Sequence, residues 1–460
     1  GPSSENKETL TQMIKHGLNV IRINMSHAYY EEVDSRIKMI RELNEELGYY
    51  TGILVDTKGP ELRTGSFTDG AATLTKGSIV EVTSEDVMGN SSMLTVKYPN
   101  LYDDIKIDNH ILLNNGLIKL TVVNKDNNKI MCLVENTGII KNKRSVNLPE
   151  VKYSIPFISE KDKEDITYAA KVDADFLALS FVSCKEDVLQ TRELLKSCGN
   201  THMQIISKIE NQYAIDNIDE ILEVSDGIMV ARGDLGVEFD MEKLPSLQKH
   251  LAYKCQQVKK TCIVATEMLA SMESSLRPTR AEVSDVANAV FEGVDAVMLS
   301  GETALGMYPV DTVEIMSKII KDAEHNKHLY GNETDPAHSK KDVTDSIVYA
   351  ALEISNILKP KAIVVTTMSG YTAHKMSNYR PTTPIIAMTP NINTARSLVL
   401  NYGVYPTVTN TFDSIDAVIK CAKQVADDKT DLGKNDKIII IGGLPLGETK
   451  QTNFIKVEGV

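Results

Sequence analysis

The 460-residue chain has no tryptophan, and aromatic residues make up only 5% of it, although hydrophobic residues reach 42%. It has enough apolar material for a sizeable core, and that core must be mainly aliphatic. Six cysteines (Cys132, Cys184, Cys198, Cys255, Cys262, Cys421) include no CxxC pair. That argues against a zinc site or a disulfide framework and for reduced thiols, with Cys262, at the head of an apolar run, read as a small core residue. Basic residues are in deficit, 50 against 63 acidic, for a net charge of −13. A general binder of nucleic acid or anionic membrane needs a basic face, so neither partner is expected, though a local basic pocket remains possible. There is no apolar run long enough to cross a bilayer and no signal peptide, and the expectation is a soluble, cytoplasmic protein. The sequence also lacks GxxxxGK(S/T) and GxGxxG, which excludes a P-loop enzyme and an evident dinucleotide binder.

What is present is repetition. Strand-like apolar runs lie at Val20 to Ile23, Ile53 to Val55, Phe176 to Leu179, Gln204 to Ile209, Ile228 to Ala231, Ile263 to Ala265 and Ala296 to Leu299, with helical patterns such as Glu31 to Leu47 and Lys185 to Lys196 between them. Such βα alternation predicts parallel strands covered by helices. Residues 60–154 break the rhythm with alternating strands and Asn/Gly/Asp turns, the pattern of an all-β insertion. A polar stretch from His325 reads as a linker, and a second βα series follows at Ala362 to Thr366, Pro384 to Ala387, Val404 to Val408 and Lys437 to Ile441. The expected architecture is α/β: a (β/α)8 TIM barrel over 1–59 and 155–325, an inserted β-barrel lid over 60–154, and an open α/β domain over 326–460. Seven barrel strands are visible and a barrel needs eight, so the first strand is expected to be missing ahead of Gly1.

A barrel gathers its functional groups at the C-terminal strand ends. In "VIRINMSH", Arg22, Asn24 and Ser26 share the face opposite Ile21, Ile23 and Met25. The next ends are Asp56-Thr57, Ser180, Lys208 with Glu210 in "SKIEN", Arg232-Gly233-Asp234, Thr266-Glu267 and Ser300 to Glu302. The stretch "SDGIMVARGDLGVEFD" has two readings: a βα turn in which Asp234 starts a helix, or a ligand cradle whose glycines admit an anion. Capped turns explain Asp, Ser and Gly at strand ends, but not Arg22 and Lys208 pointing into an enclosed mouth beside Glu210 and Asp234. A buried ion-pair network is the competing account. Two carboxylates ending consecutive strands suit Mg²⁺, and cations around an anion suit phosphoryl transfer.

Together "NVIRINMSH", "VDTKGPELRTG", "SKIEN", "SDGIMVARGDLGVE", "ATEML", "RPTRAEVSDVANAV" and "MLSGETALGMYP" resemble the pyruvate kinase family, in order and over essentially the whole chain. The resemblance implies transfer of the phosphoryl group of phosphoenolpyruvate to ADP, giving ATP and, after protonation of the enolate, pyruvate, the final step of glycolysis. It implies Mg²⁺ on Glu210 and Asp234, and K⁺ on Asn24, Ser26, Asp56 and Thr57. It makes Lys208, with Arg22 beside it, the stabiliser of the phosphoryl group in flight. Gly233 and Asp234 would offer backbone amides to the substrate carboxylate, and Thr266 would lie near the carbon that is protonated, with Ser300 and Glu302 in the same relay. Nucleotide contacts fall on Asn24, His27, Arg63 and Arg144, with Ser145 departing from the family's usual glycine.

By the same resemblance Glu61 accompanies dependence on K⁺, and the insertion is a mobile lid. The C-terminal loop Thr366 to Thr372, including Thr367, Ser369 and Gly370, holds an effector phosphate, and the assembly is a homotetramer. Met368 and Tyr371 stand at basic positions of members activated by fructose 1,6-bisphosphate, so weak or absent activation by that compound is expected. "RPTRAE" is explained by a capping box, Thr279 with Glu282. Two other readings compete with this one. A barrel lyase or aldolase acting on pyruvate enolates would share the carboxylates without needing the Arg22/Lys208 pair. A catalytically silent protein on the same fold ought to have lost Lys208, Glu210 or Asp234.

Overall fold

The computed structural model describes residues 1–26, 28–326, 342–448 and 451–459. Seven parallel strands form one curled sheet in chain order: Val20–Asn24, Gly52–Asp56, Phe176–Leu179, Gln204–Ile209, Gly227–Ala231, Thr261–Ala265 and Ala296–Met298. The first and last each have one strand neighbour, and no eighth strand lies between them among the described residues.

Period-two alternation sorts the side chains of this sheet into two layers. Ile23, Val55, Leu177, Ile205, Ile209, Val230 and Val264 face outward into the layer shared with the helices. Leu54, Phe176, Ala178, Ile206, Met229, Ile263 and Ala265 face inward and fill the interior. That inner layer also contains Leu400 of the C-terminal domain, with Val399 packed against it, so the second domain closes the foot of the barrel. The same alternation puts Arg22, Asp56, Ser180, Lys208 and Glu210 on the inward face above this apolar plug.

The insertion has its own core, including Leu74, Val80, Leu94, Ile111, Leu120 and Ile140. It contains a seven-stranded sheet and a two-stranded sheet, mostly antiparallel. Its turns use left-handed backbone at Asn114, Asn115, Asn127 and Asn128, residues that tolerate positive φ. It also contains one short helix, Leu101–Asp104, which the strand-only reading omits.

In the C-terminal domain four strands run parallel in the order Val404–Val408, Ile385–Thr389, Ala362–Thr366, Lys437–Gly442. A fifth, Phe454–Gly459, adds antiparallel at the edge and had no counterpart in the sequence reading. Most of the expected linker lies outside the described residues; the helices Pro309–Asn326 and Val343–Leu358 flank it. The capping box forms as its spacing predicts, with the Thr279 side chain accepting from the Glu282 amide at 3.2 Å and the Thr279 amide donating to Glu282 Oε2 at 2.7 Å.

Candidate active site at the mouth of the barrel

Lys208 is the hub of the inward face. Its ammonium donates to Ser180 Oγ at 2.8 Å and pairs with Glu210 Oε1 at 2.9 Å and Asp56 Oδ1 at 3.4 Å. Arg22 grips the other oxygen of Asp56, Nε to Oδ2, at 2.6 Å. Asp56 and Glu210 are each only 1% exposed. Burial alone would depress the pKa of Lys208, but Glu210 and then Asp56 outweigh it and the pKa is raised, so the ammonium stays charged.

Asp234 lies in the first turn of the helix Arg232–Glu238, beside Glu210. Burial first, and then the neighbouring Glu210 carboxylate, push its carboxyl up to about 7, the nearby Lys208 only partly offsetting them. Two carboxylates crowded in a low-dielectric site form an electron-rich pair that a divalent cation relieves. No group of three or more His, Cys, Asp or Glu able to hold a metal occurs among the described residues. Two carboxylates with the remaining positions left to substrate and water is how Mg²⁺ is commonly held, so the donor set fits that ion.

Thr266 is β-branched, yet its φ is 73°, and Glu267 follows at 54°. Such backbone persists only when neighbours hold it. Here the Gly233 amide donates to Thr266 Oγ1 at 2.8 Å, Arg232 Nη2 donates to the Thr266 carbonyl at 2.5 Å, and Arg232 Nη1 is anchored on Asp285 at 2.7 Å. The start of the Arg232–Glu238 helix is thereby tied to the adjacent strand end. The Gly233 amide, expected to face the substrate carboxylate, is engaged here by the Thr266 hydroxyl. Glu302 is buried and accepts the amides of Leu269 at 3.2 Å and Ser300 at 2.7 Å.

The hard-oxygen group sits at and just past the ends of the strands Val20–Asn24 and Gly52–Asp56. Asn24 Oδ1 accepts the Ser26 amide at 3.0 Å, and buried Thr57 accepts the Ser180 amide at 3.1 Å, while the Asp56 carboxylate is taken up by Arg22 and Lys208. Glu61 pairs with Arg63 at 2.6 Å rather than with that group. Arg63 also donates to the Lys143 carbonyl at 2.9 Å, which brings it to the turn bearing Lys143 and Arg144 at the root of the lid. Arg144 is exposed. His27 lies outside the described residues. Between lid and barrel runs a cleft of about 1100 Å³, bordered by Glu61 and Asn147 on one side and by Gly233, Asp234 and Glu267 on the other.

In the C-terminal domain Thr367, Ser369 and Thr372 line a separate small pocket with Gly443, Gly447 and Glu448. Gly370, at φ 81°, turns the loop into the helix Tyr371–Asn378, and its amide donates to Thr367 Oγ1 at 3.0 Å. No Lys or Arg lines this pocket among the described residues.

The sequence places Ser180 at a strand end without giving it a role, and it gives no sign of Phe181. Ser180 Oγ lies 2.7 Å from the Thr57 carbonyl and 3.2 Å from Asp56 Oδ1, so it steadies the acid that Lys208 touches. The Phe181 amide, on backbone at φ 57°, donates to Glu210 Oε2 at 2.6 Å. A serine at a strand end was the only signal for the first. A backbone amide gives none.

A family model described as pyruvate kinase, barrel domain, matches residues 1–313, and one described as pyruvate kinase, alpha/beta domain, matches residues 345–458. The pyruvate kinase of Staphylococcus saprophyticus is 46% identical over 463 residues, covering 100% of this chain and 79% of that protein. The pyruvate kinase of Clostridium acetobutylicum is 41% identical over 468 residues, covering 100% and 98%. The crystal structure of a pyruvate kinase from Cryptosporidium parvum superposes with a TM-score of 0.92 at 36% identity, covering 100% of this chain and 94% of that one.

Proposed function

The chain belongs to the pyruvate kinase family, and from that premise we propose that it transfers the phosphoryl group of phosphoenolpyruvate to ADP, yielding ATP and pyruvate at the end of glycolysis. The observation that carries this reading is the half-buried, charged Lys208 held between Ser180, Asp56 and Glu210 beside Asp234. Phosphoryl transfer is catalysed mainly by positioning and by charge that costs no reorganisation, and a fixed ammonium supplies both. Arg22 adds a second cation, itself pinned by Asp56.

Glu210 and Asp234 would hold Mg²⁺, which supplies charge neutralisation on the phosphoryl oxygens. Asn24, Ser26, Asp56 and Thr57 would offer oxygens to K⁺. Thr266, on strained backbone, would lie near the enolate carbon that takes the proton, and Glu302 would belong to the same relay. Asn24, His27, Arg63 and Arg144 would meet ADP as the lid closes, and closure keeps water from taking the phosphoryl group. We read the working assembly as a cytoplasmic homotetramer, supported by family membership and by large apolar side chains left exposed, such as Leu305 and Met307. Among the described residues no helix is long and apolar enough to cross a membrane.

The test is pyruvate formation from phosphoenolpyruvate and ADP with Mg²⁺, in K⁺ and again with a bulky organic cation in its place. Turnover only in K⁺ is expected. Equal turnover in both would remove the monovalent-cation site and keep the reaction. A second titration addresses the C-terminal pocket. With no Lys or Arg on its described lining and with Glu448 present, fructose 1,6-bisphosphate should change half-saturation for phosphoenolpyruvate by less than about twofold, because a bisphosphate needs cations to offset its charge. Tight, saturable activation would overturn that expectation.

A further inference from the structure

One residue of the C-terminal domain holds the feet of two catalytic strands. Arg380 follows the helix Tyr371–Asn378, which starts at the Thr367–Gly370 loop, and it adopts left-handed backbone at φ 51°. Its side chain is buried against the barrel. Nη2 donates to the Gly293 carbonyl at 2.7 Å, and Nη1 donates to the Val294 carbonyl at 3.3 Å and pairs with Asp295 Oδ1 at 2.9 Å. The guanidinium sits 4.8 Å over the Tyr402 ring. Asp295 is buried in turn, and its other oxygen accepts the Cys262 amide at 2.9 Å. One planar fork therefore grips three consecutive residues leading into Ala296–Met298 and, through Asp295, the foot of Thr261–Ala265.

These two strands are neighbours, Ile263 opposite Ala296. Among the described residues Ala296–Met298 pairs with Thr261–Ala265 alone, so the clamp acts on both members of one ladder. Their far ends carry Thr266 and, just beyond, Ser300 and Glu302. A strand is stiff along its length, so a shift at the foot reappears at the mouth.

We infer that Arg380 is a positioning residue for the enolate-protonating end of the site: it sets how far these strands reach toward the mouth and hence where Thr266 and Glu302 stand. The inference rests on the pyruvate kinase reading for the roles of those two groups. Lysine cannot replace the fork, because an ammonium is a point donor that cannot span three acceptors in one plane.

The experiment compares wild type with Arg380→Lys, Arg380→Met and Asp295→Asn. It measures kcat, KM for phosphoenolpyruvate, melting temperature, and exchange of pyruvate methyl protons into deuterium oxide with ATP, Mg²⁺ and K⁺ present. Arg380→Lys should lose about tenfold or more in kcat, as expected for a small misplacement of reacting groups. Its KM should stay within about twofold of wild type, and methyl exchange should fall in proportion to kcat. Asp295→Asn should show the same split more weakly. A folded Arg380→Lys with wild-type turnover and exchange but a lower melting temperature would show that the clamp only joins two domains. If Arg380→Met does not fold, the two conservative variants still decide. A wild type that makes no pyruvate from phosphoenolpyruvate and ADP defeats the reaction assignment itself, an outcome separate from an unaffected Arg380→Lys.

Discussion

Replacing Lys208 with methionine should reduce kcat by on the order of a thousandfold or more, the range in which removal of a fixed cation affects phosphoryl transfer. Lys208 is the hub of the site and contacts Ser180, Asp56 and Glu210 at 2.8, 3.4 and 2.9 Å. Methionine keeps the length of the stem and removes the charge, so affinity for phosphoenolpyruvate should change far less than turnover. The substitution also leaves Asp56 and Glu210 buried with one cation fewer, a change that costs about 3–5 kcal/mol when a buried pair is broken. Mg²⁺ can compensate for that charge. The variant should therefore gain more in melting temperature from added Mg²⁺ than wild type does. Calorimetric titration with phosphoenolpyruvate, melting curves with and without Mg²⁺, and steady-state kinetics cover all three statements. Wild-type turnover in a folded Lys208→Met protein would remove Lys208 from the chemistry.

The second large effect concerns the carboxylate pair. Glu210→Gln keeps an acceptor for the Phe181 amide, which now donates at 2.6 Å, while removing one of the two charges offered to Mg²⁺. The half-activating Mg²⁺ concentration should rise by about a hundredfold or more, since losing even an outer-shell partner of a metal costs about ten- to a hundredfold. Asp234→Asn should weaken Mg²⁺ similarly, but with an opposite effect on stability. A carboxyl whose pKa rises on folding, here from 3.8 to about 7, costs the fold stability as pH rises between those two values, and the full cost stands above about 7. Without Mg²⁺ at pH 8, Asp234→Asn should thus melt above wild type, and the gain should shrink toward pH 5. Thermal shifts across pH and Mg²⁺ would check this. A Mg²⁺ requirement unchanged in both variants would remove the pair as metal ligands.

The sequence by itself determined which side chains face the interior. In "VIRIN" and "SKIEN" the pleat alone places Arg22, Lys208 and Glu210 together on one face, since Cβ atoms alternate in any extended chain. The same local rules delimit the lid by its turn residues and the helix at Arg280 by its capping box. Tertiary structure decided how those side chains are partnered. Ser180 meets the Thr57 carbonyl across 123 positions, and Arg232 reaches Asp285 across 53. Glu61 turns to Arg63, away from the cation oxygens, because it directly precedes the lid's first strand, Leu62–Arg63, which carries that arginine. The edge strand Phe454–Gly459 and the clamp of Arg380 on Gly293 to Asp295 depend equally on which distant segments the folded chain brings side by side. Periodicity follows from short-range sterics, which every stretch of chain carries within itself. Pairing follows from sheet curvature and domain docking, which bring together segments separated along the chain and exist only in the folded molecule.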